Sequence, residues 1–180
     1  MSTVSVIRSR PVIAMLGGLA LLVSSASAAT DISLALGHSA DSTITYRVGL
    51  QFPWQQSWFD SDIGRLSGYW TLGYTYWESD NTVNTHSLSA SPVLTYEFGS
   101  ATATMLPFVE AGIGLAAFSR NKLEDRDLGS SVNFEDRFGF GIRLYQRHTI
   151  GIQALHYSNA GISSNNAGIE SYNVYYRFNF

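Results

Sequence analysis

The sequence predicts an all-β fold, an eight-stranded antiparallel transmembrane β-barrel, on three observations. Beyond its amino-terminal stretch the chain alternates apolar and polar residues with a period of two, in segments separated by turn-forming residues. It contains no cysteine, so strand closure or burial must hold it together. Aromatic residues make up 13% of it, with 10 Tyr and 4 Trp, and Trp70, Tyr74, Tyr76 and Tyr96 fall on the apolar faces.

The first 29 residues carry Arg8 and Arg10, then an apolar run from Val12 to Val23, then Ala26-Ser27-Ala28. This is the pattern of a secretory signal peptide, residues 1–28, cleaved after Ala28 or Ala29. The apolar run is too short for a comfortable membrane-spanning helix. Residues 29–180 then form a single barrel domain of an exported protein. A net charge of −3 gives no reason to expect a nucleic-acid partner.

The first two strands carry Ile32, Leu34 and Leu36, then Ile44, Tyr46, Val48, Leu50 and Phe52, with Thr45, Arg47 and Gln51 on the polar side. A turn from Pro53 to Asp62 leads to the third, where Leu66, Trp70, Leu72, Tyr74 and Tyr76 oppose Arg65, Ser67 and Thr71. The fourth, about His86 to Phe98, sets Leu88, Leu94 and Tyr96 against serines, Thr95 and Glu97. The fifth, about Thr104 to Phe118, has Met105, Val109, Ile113 and Leu115 on one face and Glu110 on the other.

A polar loop from Ser119 to Ser131 follows. Its Arg120, Lys122 and Arg126 either meet lipid phosphates or belong to an ordinary solvated loop, since Glu124, Asp125 and Asp127 nearly neutralise them. The sixth strand sets Phe134, Phe138, Phe140, Ile142 and Leu144 against Glu135, Arg137 and Arg143. Each segment can cross a bilayer at a tilt, which takes about 9 to 11 residues.

The strand charges share the polar face, so that face is expected inside and the aromatic face toward lipid. Arg47, Arg65, Glu97, Glu110, Glu135, Arg137 and Arg143 are expected to pair in an interior filled by side chains. A soluble lipid-binding barrel shows the same alternation with the opposite faces inside. With eight strands both termini lie on the periplasmic side, and the last turn faces the cell exterior.

The last two strands, Gly151 to Phe180, enclose a Ser/Asn/Gly-rich turn centred near Ser163. Their parity puts His156, Ser158 and Glu170 on the outward face next to that turn, with His156 opposite Glu170. Directly paired Cα atoms lie about 4.5 to 5.5 Å apart, and Ser158 is about 6.8 Å along the strand from His156. Serine, histidine and carboxylate in this arrangement suit a nucleophile, a general base and a group that holds the base's tautomer. Taken singly, each also suits a strip that has reached the lipid headgroups.

Two further stretches sharpen this reading. His156-Tyr157-Ser158-Asn159-Ala160-Gly161 followed by Gly168-Ile169-Glu170-Ser171-Tyr172 resembles the PagL family of lipid A 3-O-deacylases. Weaker likenesses are Gly68-Tyr69-Trp70, Glu110-Ala111-Gly112-Ile113-Gly114 and Asn133-Phe134-Glu135-Asp136-Arg137. The resemblance implies an eight-stranded enzyme of the bacterial cell outer membrane that removes the ester-linked acyl chain at the 3-position of lipid A with no metal or cofactor. Its substrate would be lipid A or lipopolysaccharide of the outer leaflet. By that resemblance Ser158 is the nucleophile, His156 the base and Glu170 the residue that orients it. The oxyanion would be met by the Asn166 amide and the Gly161 N–H, with Asn159 a further candidate.

Asp136 is expected outward on the sixth strand, beside His156 or Ser158 across the short turn at Gln146-Arg147-His148. It either tunes the site, through the substrate headgroup, or is a solvated rim carboxylate. His38, His86 and His148 do not cluster at metal-ligand spacing, so no zinc site is expected. A non-catalytic structural or adhesive barrel stays open as the alternative, as does side-by-side association of two barrels into a homodimer.

Overall fold

Alternation of this kind can be satisfied on both faces only if the strands close on themselves, and they do. The structure, a computed structural model, describes residues 30–40, 43–79, 83–123 and 125–180. The predicted signal peptide and its cleavage site lie outside the described residues. The strands are β1 (Asp31–Ser39), β2 (Ile44–Pro53), β3 (Gly64–Glu78), β4 (Thr85–Phe98), β5 (Met105–Phe118), β6 (Lys122–Leu123), β7 (Arg126–Asp127), β8 (Val132–Leu144), β9 (His148–Ser158) and β10 (Ile169–Phe178).

Eight of them form a closed antiparallel barrel in the order β1-β10-β9-β8-β5-β4-β3-β2. β1 pairs with β10, Ile32 opposite Phe178 through Ser39 opposite Ser171, so the barrel has no free edge. The short pair β6 and β7 forms a separate hairpin inside the loop between β5 and β8.

The faces fall as the alternation predicts. Leu36, Trp70, Leu88, Ile113, Phe138 and Val174 are among the large apolar side chains exposed on the outside. A soluble barrel would turn them inward, so the soluble lipid-binding alternative fails on this point. Inside, charges pair. Glu135 meets Arg47 at 3.1 Å and Arg137 at 3.0 Å, Arg177 meets Glu110 at 3.2 Å, and Glu97 meets both Arg65 and Arg143. Tyr157 donates to Glu135, and Tyr69 and Tyr175 donate to Glu110. The Arg47 guanidinium lies against the backbone of Gly73, where a Cβ would occupy its space. Removing one partner of such a buried pair typically costs about 3–5 kcal/mol, because the other charge is left unpaired.

One layer of the interior departs from the polar-inside expectation. Near the end opposite the termini, Trp77, Phe118, Leu155, Tyr157 and Ile169 form a buried apolar cluster together with Leu123 and Leu128. The Tyr157 ring stands edge-on to Trp77 and Phe118, with centroids 5.5 and 5.2 Å apart. The apolar side chains here are shielded by the β6–β7 hairpin, which folds onto the barrel instead of standing off in solvent. Within the loop of Ser119 to Ser131, Leu123 and Leu128 are thus buried while the charged Arg120 and Lys122 stay exposed.

Candidate active site

β9 and β10 place the proposed reactive side chains by parity. Leu155, Tyr157 and Asn159 are buried on the inner side, so His156 and Ser158 face outward on the same strand. On β10, Ile169 and Ser171 are buried and Glu170 faces outward between them. The register sets Glu170 directly opposite His156.

On the other side of β9 the register sets Asp136 opposite His156 and Phe134 opposite Ser158. The imidazole therefore stands between two carboxyl-bearing positions. It bonds to one of them: His156 Nδ1 lies 2.9 Å from Glu170 Oε1, with both side chains partly exposed at 43% and 32%.

With an ionised carboxylate as acceptor, the proton of that bond belongs to Nδ1, which leaves the lone pair on Nε2. Among the described residues no hydrogen bond joins Ser158 to His156. Gly168 lies behind the ring with φ +60°, and a Cβ there would come within 3.1 Å of His156 Cε1.

The turn from 159 to 168 is organised by Asn159, which is buried. Its Nδ2 donates to the carbonyls of Leu128 and Asn165, at 2.8 and 2.7 Å. Its Oδ1 accepts the N–H groups of Gly161 and Ser163, at 2.9 and 3.4 Å. Its own N–H donates to Asn166 Oδ1 at 2.9 Å.

Of the three oxyanion residues expected from the sequence, Asn159 thus has its side-chain amide committed to the backbone, and the Gly161 N–H is engaged by Asn159. Asn166 is held by its oxygen and is exposed, and among the described residues its Nδ2 makes no hydrogen bond. The resemblance ranks Asn159 behind the other two, while residue type alone does not separate Asn159 from Asn166, since turn-forming and anion-binding asparagines look alike in a sequence.

Arg126 is bonded to the turn that follows β9. Its Nη1 donates to the carbonyls of Ala167 and Gly168, at 3.3 Å each. Arg120 and Lys122 are exposed.

Below His156 toward the termini, the outward face opens into an apolar groove of about 380 Å³. Ala154 forms its floor, flanked across the two strand pairs by Phe138 and Tyr172. Phe140, Ile152 and Val174 continue it.

A model of the lipid A 3-O-deacylase (PagL) family matches residues 44–179. The chain belongs to the PagL family. It is 47% identical over 166 residues to the lipid A deacylase PagL of Pseudomonas aeruginosa, covering 92% of this chain and 95% of that protein. To the lipid A deacylase PagL of Bordetella bronchiseptica it is 31% identical over 138 residues, 74% of this chain and 76% of the other. A crystal structure of the outer membrane enzyme PagL superposes with a TM-score of 0.76 at 49% identity, over 82% of this chain and 97% of that one. The protein is therefore an outer-membrane β-barrel of PagL type, and its outward apolar band faces lipid.

Proposed function

We propose that the protein is an outer-membrane lipid A 3-O-deacylase that works through Ser158, His156 and Glu170 on the lipid-facing wall of the barrel. The observation that carries this reading is the 2.9 Å bond between His156 Nδ1 and Glu170, with Ser158 on the same outward face of β9. Membership of the PagL family supports the substrate class.

His156 Nε2 accepts the Ser158 proton as the hydroxyl oxygen attacks the carbonyl carbon of the 3-linked ester. Glu170 holds the Nδ1–H tautomer and offsets the charge of the imidazolium that forms. The oxyanion is met first by Asn166 Nδ2; the Gly161 N–H would join as one limb of a bond shared with Asn159 Oδ1. Such donors commonly supply the largest electrostatic contribution. As the intermediate collapses, the ester C–O bond breaks and His156 Nε2–H protonates the leaving 3-alkoxide. Water, deprotonated by His156 Nε2, then attacks the acyl-serine; the acyl C–O bond to Ser158 breaks, His156 Nε2–H returns its proton to Ser158 Oγ, and the fatty acid leaves.

An exterior site suits a substrate that is itself a membrane lipid. The last turn faces the cell exterior in this reading, which puts the three side chains level with the outer leaflet. The scissile ester lies near the headgroup, and the released chain lies along the groove below His156, whose size is within the range of small-molecule sites. Asp136, on the far side of His156 from Glu170, positions the substrate headgroup. Wild-type activity in Asp136→Ala removes that role.

Mass spectrometry of lipid A from cells expressing wild type or Ser158→Ala tests the whole reading. Wild type is expected to yield lipid A lighter by one 3-linked acyl chain, and Ser158→Ala unmodified lipid A with the barrel still folded by heat-dependent gel migration. Deacylation by Ser158→Ala refutes the serine mechanism.

A further inference from the structure

The turn that carries the proposed oxyanion donors, between Ser158 and Ile169, is ten residues long, mostly exposed, and takes positive φ at Ala160, Gly161 and Gly168. Left to itself, such a segment samples many conformations, while a displacement of about 1 Å at a reacting group costs on the order of 10²-fold in rate. Something must hold it, and the β6–β7 hairpin is in contact with it at several points.

That hairpin is itself fixed, because Leu123 and Leu128 are seated in the apolar layer beneath it, 3% and 0% exposed. From this base the Asp127 carbonyl accepts the Ala167 N–H at 3.1 Å, and Asp127 Oδ2 accepts Asn165 Nδ2 at 3.0 Å. Asp127 Oδ1 accepts the Gly129 N–H at 2.9 Å, which closes the end of the hairpin. Arg126 holds the carbonyls of Ala167 and Gly168.

Two lines of contact lead from this pair to the site. Through Asn165, whose carbonyl accepts Asn159 Nδ2, the brace reaches the residue whose N–H fixes Asn166 Oδ1. Through Gly168 it reaches the backbone behind the His156 ring, two residues before Glu170. We propose that Arg126 and Asp127 are positioning residues for the deacylase site, bracing from the neighbouring hairpin the turn that aims Asn166 and backs His156. This rests on the Ser158–His156–Glu170 reading above.

The test is steady-state kinetics on lipid A in mixed micelles with purified Asp127→Ala, Arg126→Met, Arg126→Lys, Asn165→Ala and the double Asp127→Ala/Asn165→Ala. Asp127→Ala and Arg126→Met are expected to lower kcat by about 10- to 100-fold with KM within about two-fold, since the brace touches no substrate. Arg126→Lys, which can still donate to the Gly168 carbonyl, is expected to recover part of that loss. The double variant should lose no more than the worse single, because both act through one contact.

Wild-type kcat in both Asp127→Ala and Arg126→Met overturns the proposal, as does a raised KM with unchanged kcat. If Asp127→Ala loses the folded form on a heat-dependent gel, Arg126→Met and Asn165→Ala carry the same comparison; misfolding of all three assigns the hairpin to folding and also overturns it. Ser158→Ala, run alongside, separates the two claims. Activity retained there refutes the serine reading, whereas an inactive Ser158→Ala beside fully active brace variants refutes the brace alone.

Discussion

His156 Nδ1 lies 2.9 Å from Glu170 Oε1, across a cross-strand pair in which the two residues are direct register partners. Strand pairing fixes their backbones, so the hydrogen bond needs only the two side chains to turn toward each other. Glu170→Gln keeps the shape but can present an N–H to the ring, which favours the tautomer with the proton on Nε2. That tautomer cannot accept the serine proton.

A kcat loss of about 10²- to 10⁴-fold is expected, with KM little changed. The loss should fall toward the lower end of that range, because Glu170 is 32% exposed and water can replace part of its role. Steady-state kinetics on Glu170→Gln check it, and a rate within two-fold of wild type would remove Glu170 from the mechanism.

Acidification should slow the enzyme. The neutral imidazole is the working form, and an imidazolium has no lone pair for the Ser158 proton. On the acid side log kcat/KM should therefore rise with pH toward a slope of about one, reporting one required deprotonation. Rates measured on micellar substrate, with gel migration confirming a folded barrel at each pH, decide the matter. A flat profile through the acid range would exclude His156 as base.

How much of this was legible in the chain follows from what each residue faces. Lipid outside and paired charges inside impose opposite chemistries on alternate residues, so parity alone places Trp70, Arg47 and Glu135 on the correct faces. The same parity, with a turn centred near Ser163, gives the pairing of His156 with Glu170, and the short turn at Gln146-Arg147-His148 puts Asp136 beside His156 or Ser158, of which the register selects His156.

The polar-inside expectation fails where the inner face is itself shielded from water. Trp77 and Leu155 are apolar and inward, because the β6–β7 hairpin covers that end of the barrel. That hairpin has no readable period: its strands are two residues each, and its charges look the same whether they are solvated or, like Asp127, bonded to a distant turn. The commitment of Asn159 to four backbone groups was hidden for a similar reason, since it depends on Leu128 and Asn165 arriving from elsewhere.

The groove below His156 makes a prediction about chain selectivity. Ala154 lies between Phe138 and Tyr172 and is the small side chain on its floor. In Ala154→Phe a ring fills the space while the reacting groups above are untouched. Hydrolysis of lipid A is expected to fall by at least about 10-fold, the scale of discrimination by apolar pockets. Cleavage of a short-chain soluble ester should stay within about two-fold. Equal losses on both substrates would show that the groove does not hold the acyl chain.

The interior pairs should be felt as stability, separately from catalysis. Glu135 is fully buried and accepts from Arg47, Arg137, Ser91 and Tyr157. Glu135→Ala strands two buried guanidinium groups, and about 3–5 kcal/mol of destabilisation is expected. At the rim of the network Arg65 is 25% exposed, and Glu97 keeps Arg143 when Arg65 is lost. Arg65→Ala should therefore cost less, about 1 kcal/mol or below. Urea titration of the purified barrels, read by the loss of the heat-modifiable form, compares the two. Tyr157, which loses its acceptor in Glu135→Ala, lies between His156 and Ser158 on β9. Some loss of kcat should accompany that destabilisation, and none should accompany Arg65→Ala. Equal midpoints for the two variants would mean that Glu135 does not anchor the network.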